Sequence, residues 1–282
     1  MVLVTGAGGK TGKAVISALA ARGVTIRAFV RREAQAAEAK TLGAADAAIG
    51  DLRNAAAVQA ALHGVRKVYH ICPNVHPDEI EIGQVVIGAA RAAGVEQFVF
   101  HSVLHPQTEK MPHHWHKLGV EEALLESGLP FTILQPAAYM QNILVGWEAI
   151  SQRGVYTVPY PVETRLSLVD LREVAEAAAL VLTELGHAGG TYELAGTLAM
   201  SQQEVAGVLS QSLSRAVRAE AIPLDQWEVQ ARASGLSDYT IETLKAMFQY
   251  YARYGLAGNP NVLRWLLGRP AATLADFIQR QL

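Results

Sequence analysis

An apolar run, Val2-Leu3-Val4, leads at once into Thr5-Gly6-Ala7-Gly8-Gly9-Lys10-Thr11-Gly12, and an alanine-rich helical stretch follows without a break. A glycine-rich turn between a β-branched run and a helix restricts the local geometry closely. Gly6 permits a tight turn, Gly9 lets the backbone come close to a ligand, and Gly12 lets helix and strand approach each other. The first amides of such a helix make an anion site, so this order of elements is the context in which a dinucleotide pyrophosphate is held. The spacing is Gly-x-x-Gly-x-x-Gly, not the commoner Gly-x-Gly-x-x-Gly. A mononucleotide P-loop needs Gly-x-x-x-x-Gly-Lys-Ser/Thr, and the upstream glycine of that frame is missing, which disfavours ATP.

The rest of the first half repeats the same beat. Strands are expected at 2–5, 24–30, 44–49, 67–71, 97–101 and 131–134, and helices at 10–21, 33–41, 55–62, 79–93 and 115–126. Gly23, Gly43, Gly64, Gly94 and Gly128 stand just beyond those helices, where a left-handed residue is cheapest. Such alternation predicts an α/β fold of Rossmann type: a doubly wound parallel sheet covered on both faces. Residues 1–150 are expected to form the dinucleotide-binding domain, with 166–196 completing its sheet and helices. Residues 151–165 and 197–282 are expected to form a smaller, mostly helical substrate or lid region. An aromatic group there (Trp227, Tyr239, Phe248, Tyr250, Tyr251, Tyr254, Trp265) reads as the core of a helical subdomain.

Bulk composition narrows the function. Half of the 282 residues are hydrophobic and 18% are charged, which excludes disorder. A formal net charge of -2 gives no field to gather nucleic acid or an anionic membrane, so neither is an expected partner. The single cysteine, Cys72, cannot form an internal disulfide and fits a reducing compartment; with no targeting segment or long apolar run, a cytoplasmic location is expected.

Two further segments bear on the ligand. Where the second strand ends, an acid would meet a free adenosine ribose, whereas arginine accommodates an added phosphate; the chain has Arg31-Arg32, predicting NADP(H) in preference to NAD(H). After the third strand, Gly50-Asp51-Leu52 places a carboxylate where it can meet the adenine amino group or cap the helix that begins near Asn54.

Together these segments resemble the NmrA-like branch of the atypical short-chain dehydrogenase/reductases. The likeness rests on Thr5–Gly12, Val30-Arg31-Arg32, Gly50-Asp51-Leu52, His101-Ser102-Val103, Glu122-x-x-Leu-x-x-Ser-Gly128, Thr132-x-Leu-x-Pro136, Asn142 and Leu267-Gly268-Arg269-Pro270. Within that branch, Ser102-x-Leu-His105 and Tyr192-Glu-Leu-Ala-Gly196 are most similar to bacterial NADPH-dependent quinone oxidoreductases. Triphenylmethane reductase-like enzymes, isoflavone reductase-like enzymes and redox-sensing regulators are related. The resemblance implies coenzyme contacts at Thr5, Gly6, Gly8, Gly9, Lys10, Thr11, Gly12, Arg31, Arg32, Asp51, Leu52, Cys72, Pro73, His101, Lys117 and Pro136.

One departure shapes the expected chemistry. Ordinary short-chain dehydrogenases place a tyrosine four residues before a lysine, on one helix face; here that frame reads His113-His114-Trp115-His116-Lys117. Lys117 is expected to bind the nicotinamide ribose and stabilise a developing oxyanion, with Ser102 hydrogen-bonding the substrate and His113, His116 or Tyr139 as proton donor. A quinol oxyanion is a far weaker base than an alkoxide, so the missing phenol points to an apolar, quinone-like small molecule. The histidine cluster also invites zinc, but Lys117 beside it would repel a cation, and no metal is expected. The reading is an NADPH-dependent quinone reductase, monomeric or homodimeric. The alternative is an NADP(H) sensor acting through a protein partner, and a sugar-nucleotide epimerase ranks below both. Loops at 73–77 and 136–142 and the C-terminal stretch are expected to shape the acceptor pocket.

Overall fold

The computed structural model describes residues 1–73 and 75–282; Asn74, in the 73–77 loop, lies outside the described residues. Six strands and five helices alternate first: β1 (Val2–Val4), α1 (Lys10–Ala21), β2 (Ile26–Val30), α2 (Glu33–Thr41), β3 (Asp46–Ile49), α3 (Ala55–Ala61), β4 (Lys67–His70), α4 (Glu79–Ala92), β5 (Gln97–His101), α5 (Pro112–Glu126) and β6 (Phe131–Pro136); the helix Leu171–Thr183 follows after several short elements between 138 and 169. The strand Gly190–Leu194 lies beside β6 and completes a seven-stranded sheet in the order Gly190–Leu194, β6, β5, β4, β1, β2, β3. The pairings β1–β2, β1–β4, β2–β3, β4–β5 and β5–β6 are all parallel. The fold is thus Rossmann-like α/β.

The chain winds outward from β1 to β3 and then returns to β4 on the other side of β1. That reversal leaves a crevice at the carboxyl ends of β1 and β4, the usual ligand position in such sheets. Register sets Leu3 beside Val68 and Val68 beside Phe98, three fully buried side chains in one core layer with Val86, Val120 and Leu124. Each such burial contributes about 1.5–3 kcal/mol. Strands covered on both faces read as unbroken apolar runs, which is why β1 and β5 carry no alternation. Gly23, Gly43, Gly64, Gly94 and Gly128 all have positive φ, as their positions after helices predict. Helix α5 starts three residues earlier than periodicity suggested, because Pro112 suits a first helical position, where its missing N–H costs nothing; the histidines therefore lie in its opening turn.

Two compact units are present: Met1–Gln107, His114–Gln135 and Leu171–Tyr192 form the first, and Thr108–His113, Pro136–Asp170 and Glu193–Leu282 the second. The second has its own core of Met140, Ile143, Ile150, Val205, Leu209, Phe277 and Ile278. Short strands pair within it, Ala138–Tyr139 with Leu168–Val169 and Val155–Val158 with Arg218–Ala221. Trp227 packs edge-on against Phe248 at 4.9 Å, and Tyr160 lies 6.0 Å from Phe248 and 6.2 Å from Tyr251, so this part of the aromatic group is interior packing. Tyr254 and Trp265 depart from that expectation: both are exposed, being on helix faces turned to solvent. Buried Asp170 accepts a hydrogen bond from Gln141 Nε2 at 2.6 Å and pairs with Arg280, which ties the C-terminal helix Leu274–Gln279 to the rest of this unit.

Candidate coenzyme and active site

The glycine turn has a shape that side chains would destroy. Gly6 sits at φ +59°, and a Cβ there would lie 2.9 Å from the Ile71 carbonyl oxygen. At Gly12 a Cβ would lie 2.5 Å from the Gly6 carbonyl oxygen and 2.6 Å from Ala7 Cα, so the start of α1 rests directly on the turn. Gly9 differs, since its Cβ would meet only the Gly6 oxygen, at 3.4 Å, and the residue is exposed. Gly9 is the N-cap of α1 and, having no side chain, makes no side-chain cap bond at the positive end of this twelve-residue helix. These features fit a pyrophosphate against the α1 terminus. Thr5 closes the same crevice from below: it accepts the Ile71 N–H at 2.9 Å and lies 2.8 Å from His70 Nδ1, locking β1 to β4.

At the end of β2, Arg31 and Arg32 are exposed, and neither guanidinium is ion-paired with a described residue. Gln35, which no motif marks, accepts the Arg31 N–H at 3.1 Å and lays its amide over Gly8, where a Cβ would meet Nε2 at 2.5 Å. Asp51 is bridged by Arg53, with Nη2 at 2.7 Å and the backbone N–H at 2.9 Å, and this pairing holds its carboxyl down at about 2. The cap of α3 is Asn54, which accepts the Ala57 N–H, so Asp51 does not fill that role; its carboxylate oxygens are taken by Arg53 instead. Leu52 and Cys72 belong to the buried core, and burial pushes the Cys72 thiol well up.

The ends of β4 and β5 and the facing sides of α4 and α5 bring several polar groups together inside the first unit. Lys117 Nζ donates to Glu79 Oε1 at 2.6 Å, with the lysine side chain 12% exposed and the glutamate fully buried. The ammonium also lies 5.6 Å from the Phe100 ring centre. Burial pulls the lysine down, but the Glu79 carboxylate above all, with Glu121, outweighs it and holds Lys117 above its ordinary value. Ser102, buried at the end of β5, donates to Glu121, which also accepts from Gln135 Nε2 at 2.9 and 3.1 Å. Burial raises Glu121 despite those donors. His101 Nδ1 lies 2.7 Å from the Tyr69 hydroxyl. Pro73 is half-buried beyond β4. Glu79, Glu121 and Gln135 escaped the sequence reading. Spacing gave one usable signal, since Glu121 follows Lys117 by one helical turn; nothing local marked Glu79.

His113, Pro136 and Tyr139 belong to the second unit: His113 and Pro136 are buried, and Tyr139 pairs with Val169 in a two-residue strand. His114 Nδ1 lies 3.1 Å from the His105 carbonyl oxygen, and His105 has a left-handed φ of 55°.

Three histidines of the first unit make acid sensitivity predictable. Burial, followed by the charge of Lys117, lowers His70 and His101 to about 3, and burial lowers His114 to about 4, all from 6.5. Below pH 6.5 the unfolded chain therefore takes up protons that the folded chain refuses. Stability is full above that pH and is lost as pH falls from 6.5 towards 4, by up to about 1.4 kcal/mol per pH unit for each ring. Urea unfolding at pH 7.5, 6.5 and 5.5 should show the midpoint falling; a flat profile would mean that these rings are protonated in the fold.

Known proteins resemble this chain along its whole length. The model of the NmrA-like family matches residues 1–276. The NAD(P)H azoreductase of Xenophilus azovorans is 34% identical over 278 residues, covering 98% of this chain and 96% of that protein. An Escherichia coli NADPH-dependent quinone oxidoreductase, solved with NADPH, superposes with a TM-score of 0.87 at 28% identity, covering 100% of this chain and 99% of that one. The Citrobacter sp. triphenylmethane reductase, solved with NADP(H), gives 0.87 at 26% identity with all of both chains covered. A glycine cradle at the switch point of a doubly wound sheet, and a match that leaves only the last six residues outside, lead to one assignment: this chain belongs to the NmrA-like family.

Proposed function

We propose that the chain is an NAD(P)H-dependent oxidoreductase that prefers NADPH and reduces a quinone or a similarly conjugated, apolar acceptor. The observation that carries the reading is the α1 cradle, closed to side chains at Gly6 and Gly12 and open at Gly9, with two exposed guanidinium groups that no described residue ion-pairs at the end of the neighbouring strand. Support also comes from relatives named as reductases of azo compounds, quinones and triphenylmethane dyes.

The nicotinamide coenzyme, when bound, supplies the hydride. The α1 terminus holds its pyrophosphate, and Arg31 with Arg32 neutralises the ribose phosphate that distinguishes NADPH. Lys117 presents a buried positive charge that stabilises negative charge developing on the acceptor oxygen, where low local polarity strengthens the effect. Ser102 is oriented by its bond to Glu121. The proton donor in this proposal is His113 or Tyr139; because a quinol oxyanion is a weak base, neither needs to match the acidity of the tyrosine found in alcohol dehydrogenases.

Steady-state oxidation of NADPH against a panel of quinones and azo dyes tests the activity: acceptor-dependent turnover is expected, and none with any acceptor would sink the proposal. Arg31→Ala should weaken NADPH binding by about 10- to 100-fold, the worth of a charge-assisted hydrogen bond, while NADH changes by less than about threefold. Titration calorimetry with both coenzymes measures this, and equal losses would remove Arg31 from the phosphate site.

A further inference from the structure

Lys117 lies on α5 and Glu79 on α4, 38 residues apart in sequence, and two glycines account for their contact. A Cβ on Gly83 of α4 would lie 2.7 Å from both Val120 methyls of α5, and a Cβ on Gly119 of α5 would lie 2.8 Å from Ile80 Cδ1 of α4. Each helix thus seats a branched side chain of the other in a place where it carries none itself. Glu79 stands one turn before Gly83 on α4 and Lys117 two residues before Gly119 on α5, so the ion pair forms beside this close helix contact.

We propose that Glu79 is the positioning residue for Lys117, and that the reciprocal Gly83/Gly119 seat exists to bring the two side chains into contact. This inference rests on the reading of Lys117 as the charged group of the reductase site.

Glu79 is a costly choice for a purely structural contact, since apolar residues of similar size would hold two helices as well or better. What apolar residues cannot do is keep a buried ammonium charged and aimed. Glu79 also sits in the first turn of α4, where the helix dipole favours an anion, and its backbone carbonyl accepts the Cys72 thiol at 3.8 Å. Its Oε2 is buried with no hydrogen-bond partner among the described residues, so among them the carboxylate bonds Lys117 alone, through Oε1. The other titratable groups around the ammonium cannot replace it. His70, His101 and His114 are neutral rings near neutral pH, Cys72 is held as a thiol, and Glu121 is occupied by Ser102 and Gln135.

Glu79→Gln keeps the shape and removes the charge, and Glu79→Asp keeps the charge on a shorter arm. Turnover of NADPH with a water-soluble naphthoquinone, followed from pH 6 to pH 10, should show no alkaline loss in the wild type. In Glu79→Gln, kcat should fall on the alkaline side with a midpoint lowered by about 2 to 3 pH units, since an unpaired buried lysine sheds its proton early. The KM for NADPH should change by less than about threefold, and Glu79→Asp should restore much of the profile. An identical pH profile in wild type and Glu79→Gln overturns the proposal, as does a kcat loss accounted for entirely by a smaller folded fraction. The lysine Nζ resonance in 15N-labelled, coenzyme-free protein, assigned with Lys117→Met, reads the same titration without turnover. If no acceptor is reduced, the reductase reading falls while this arm still decides on Glu79: an unchanged Lys117 titration in Glu79→Gln refutes the pairing.

Discussion

Gly12→Val is expected to abolish coenzyme binding and to cost the fold on the order of 4 kcal/mol or more. The new Cβ would sit 2.5 Å from the Gly6 oxygen, 2.6 Å from Ala7 Cα and 3.0 Å from the Ala7 carbonyl carbon. All three are backbone atoms of the turn itself, so no rotamer change relieves the overlap, and α1 must lift away from β1. Gly9→Ala makes the informative contrast. Gly9 has φ -87°, which alanine adopts freely, and its Cβ would find only the Gly6 oxygen at 3.4 Å. Stability should therefore hold or rise by a few tenths of a kcal/mol, as for other compatible glycine replacements. Coenzyme affinity should nonetheless fall by about tenfold or more, because the methyl group occupies the face that meets the pyrophosphate. Thermal melts paired with NADPH titration separate the two effects. If Gly9→Ala binds NADPH as well as the wild type, the pyrophosphate does not approach that face.

Lys117→Met should produce the largest kinetic loss, a fall in kcat/KM of about 10²- to 10³-fold, as for removal of one preorganised group that meets a developing anion. It should also destabilise the protein by about 3–5 kcal/mol, because Glu79 would remain buried with no counter-charge. Pairing the change with Glu79→Leu should return most of that stability, since an apolar pair can replace a buried ion pair, yet leave turnover as low as before. Urea midpoints and NADPH kinetics on the four members of this cycle supply both numbers. Turnover recovered together with stability would show that Lys117 acts only as a structural partner of Glu79.

The contrast between these two sites explains which parts of the molecule could be read in advance. Gly6, Gly9 and Gly12 lie within seven residues of one another, so strand, turn and helix express a requirement written in consecutive positions. The same holds for the alternation of β1 to β6 with α1 to α5, where apolar period and glycine stops are local signals, and for Arg31 and Arg32, placed by the end of β2. The opening of α5 was misjudged by three residues because His113 and His114 carry little helical preference and only Pro112 marked the start.

Chain order and short-range chemistry thus determine a doubly wound sheet with a glycine-turned helix start at its switch point, because backbone dihedrals and hydrophobic period act over a few residues. Tertiary packing alone decides that Glu79 faces Lys117, that Glu121 and Gln135 hold Ser102, and that Gln35 covers Gly8. Those partners come from separate elements, and their meeting depends on how closely α4 and α5 can approach, or on which way α2 turns, distances that no local period encodes.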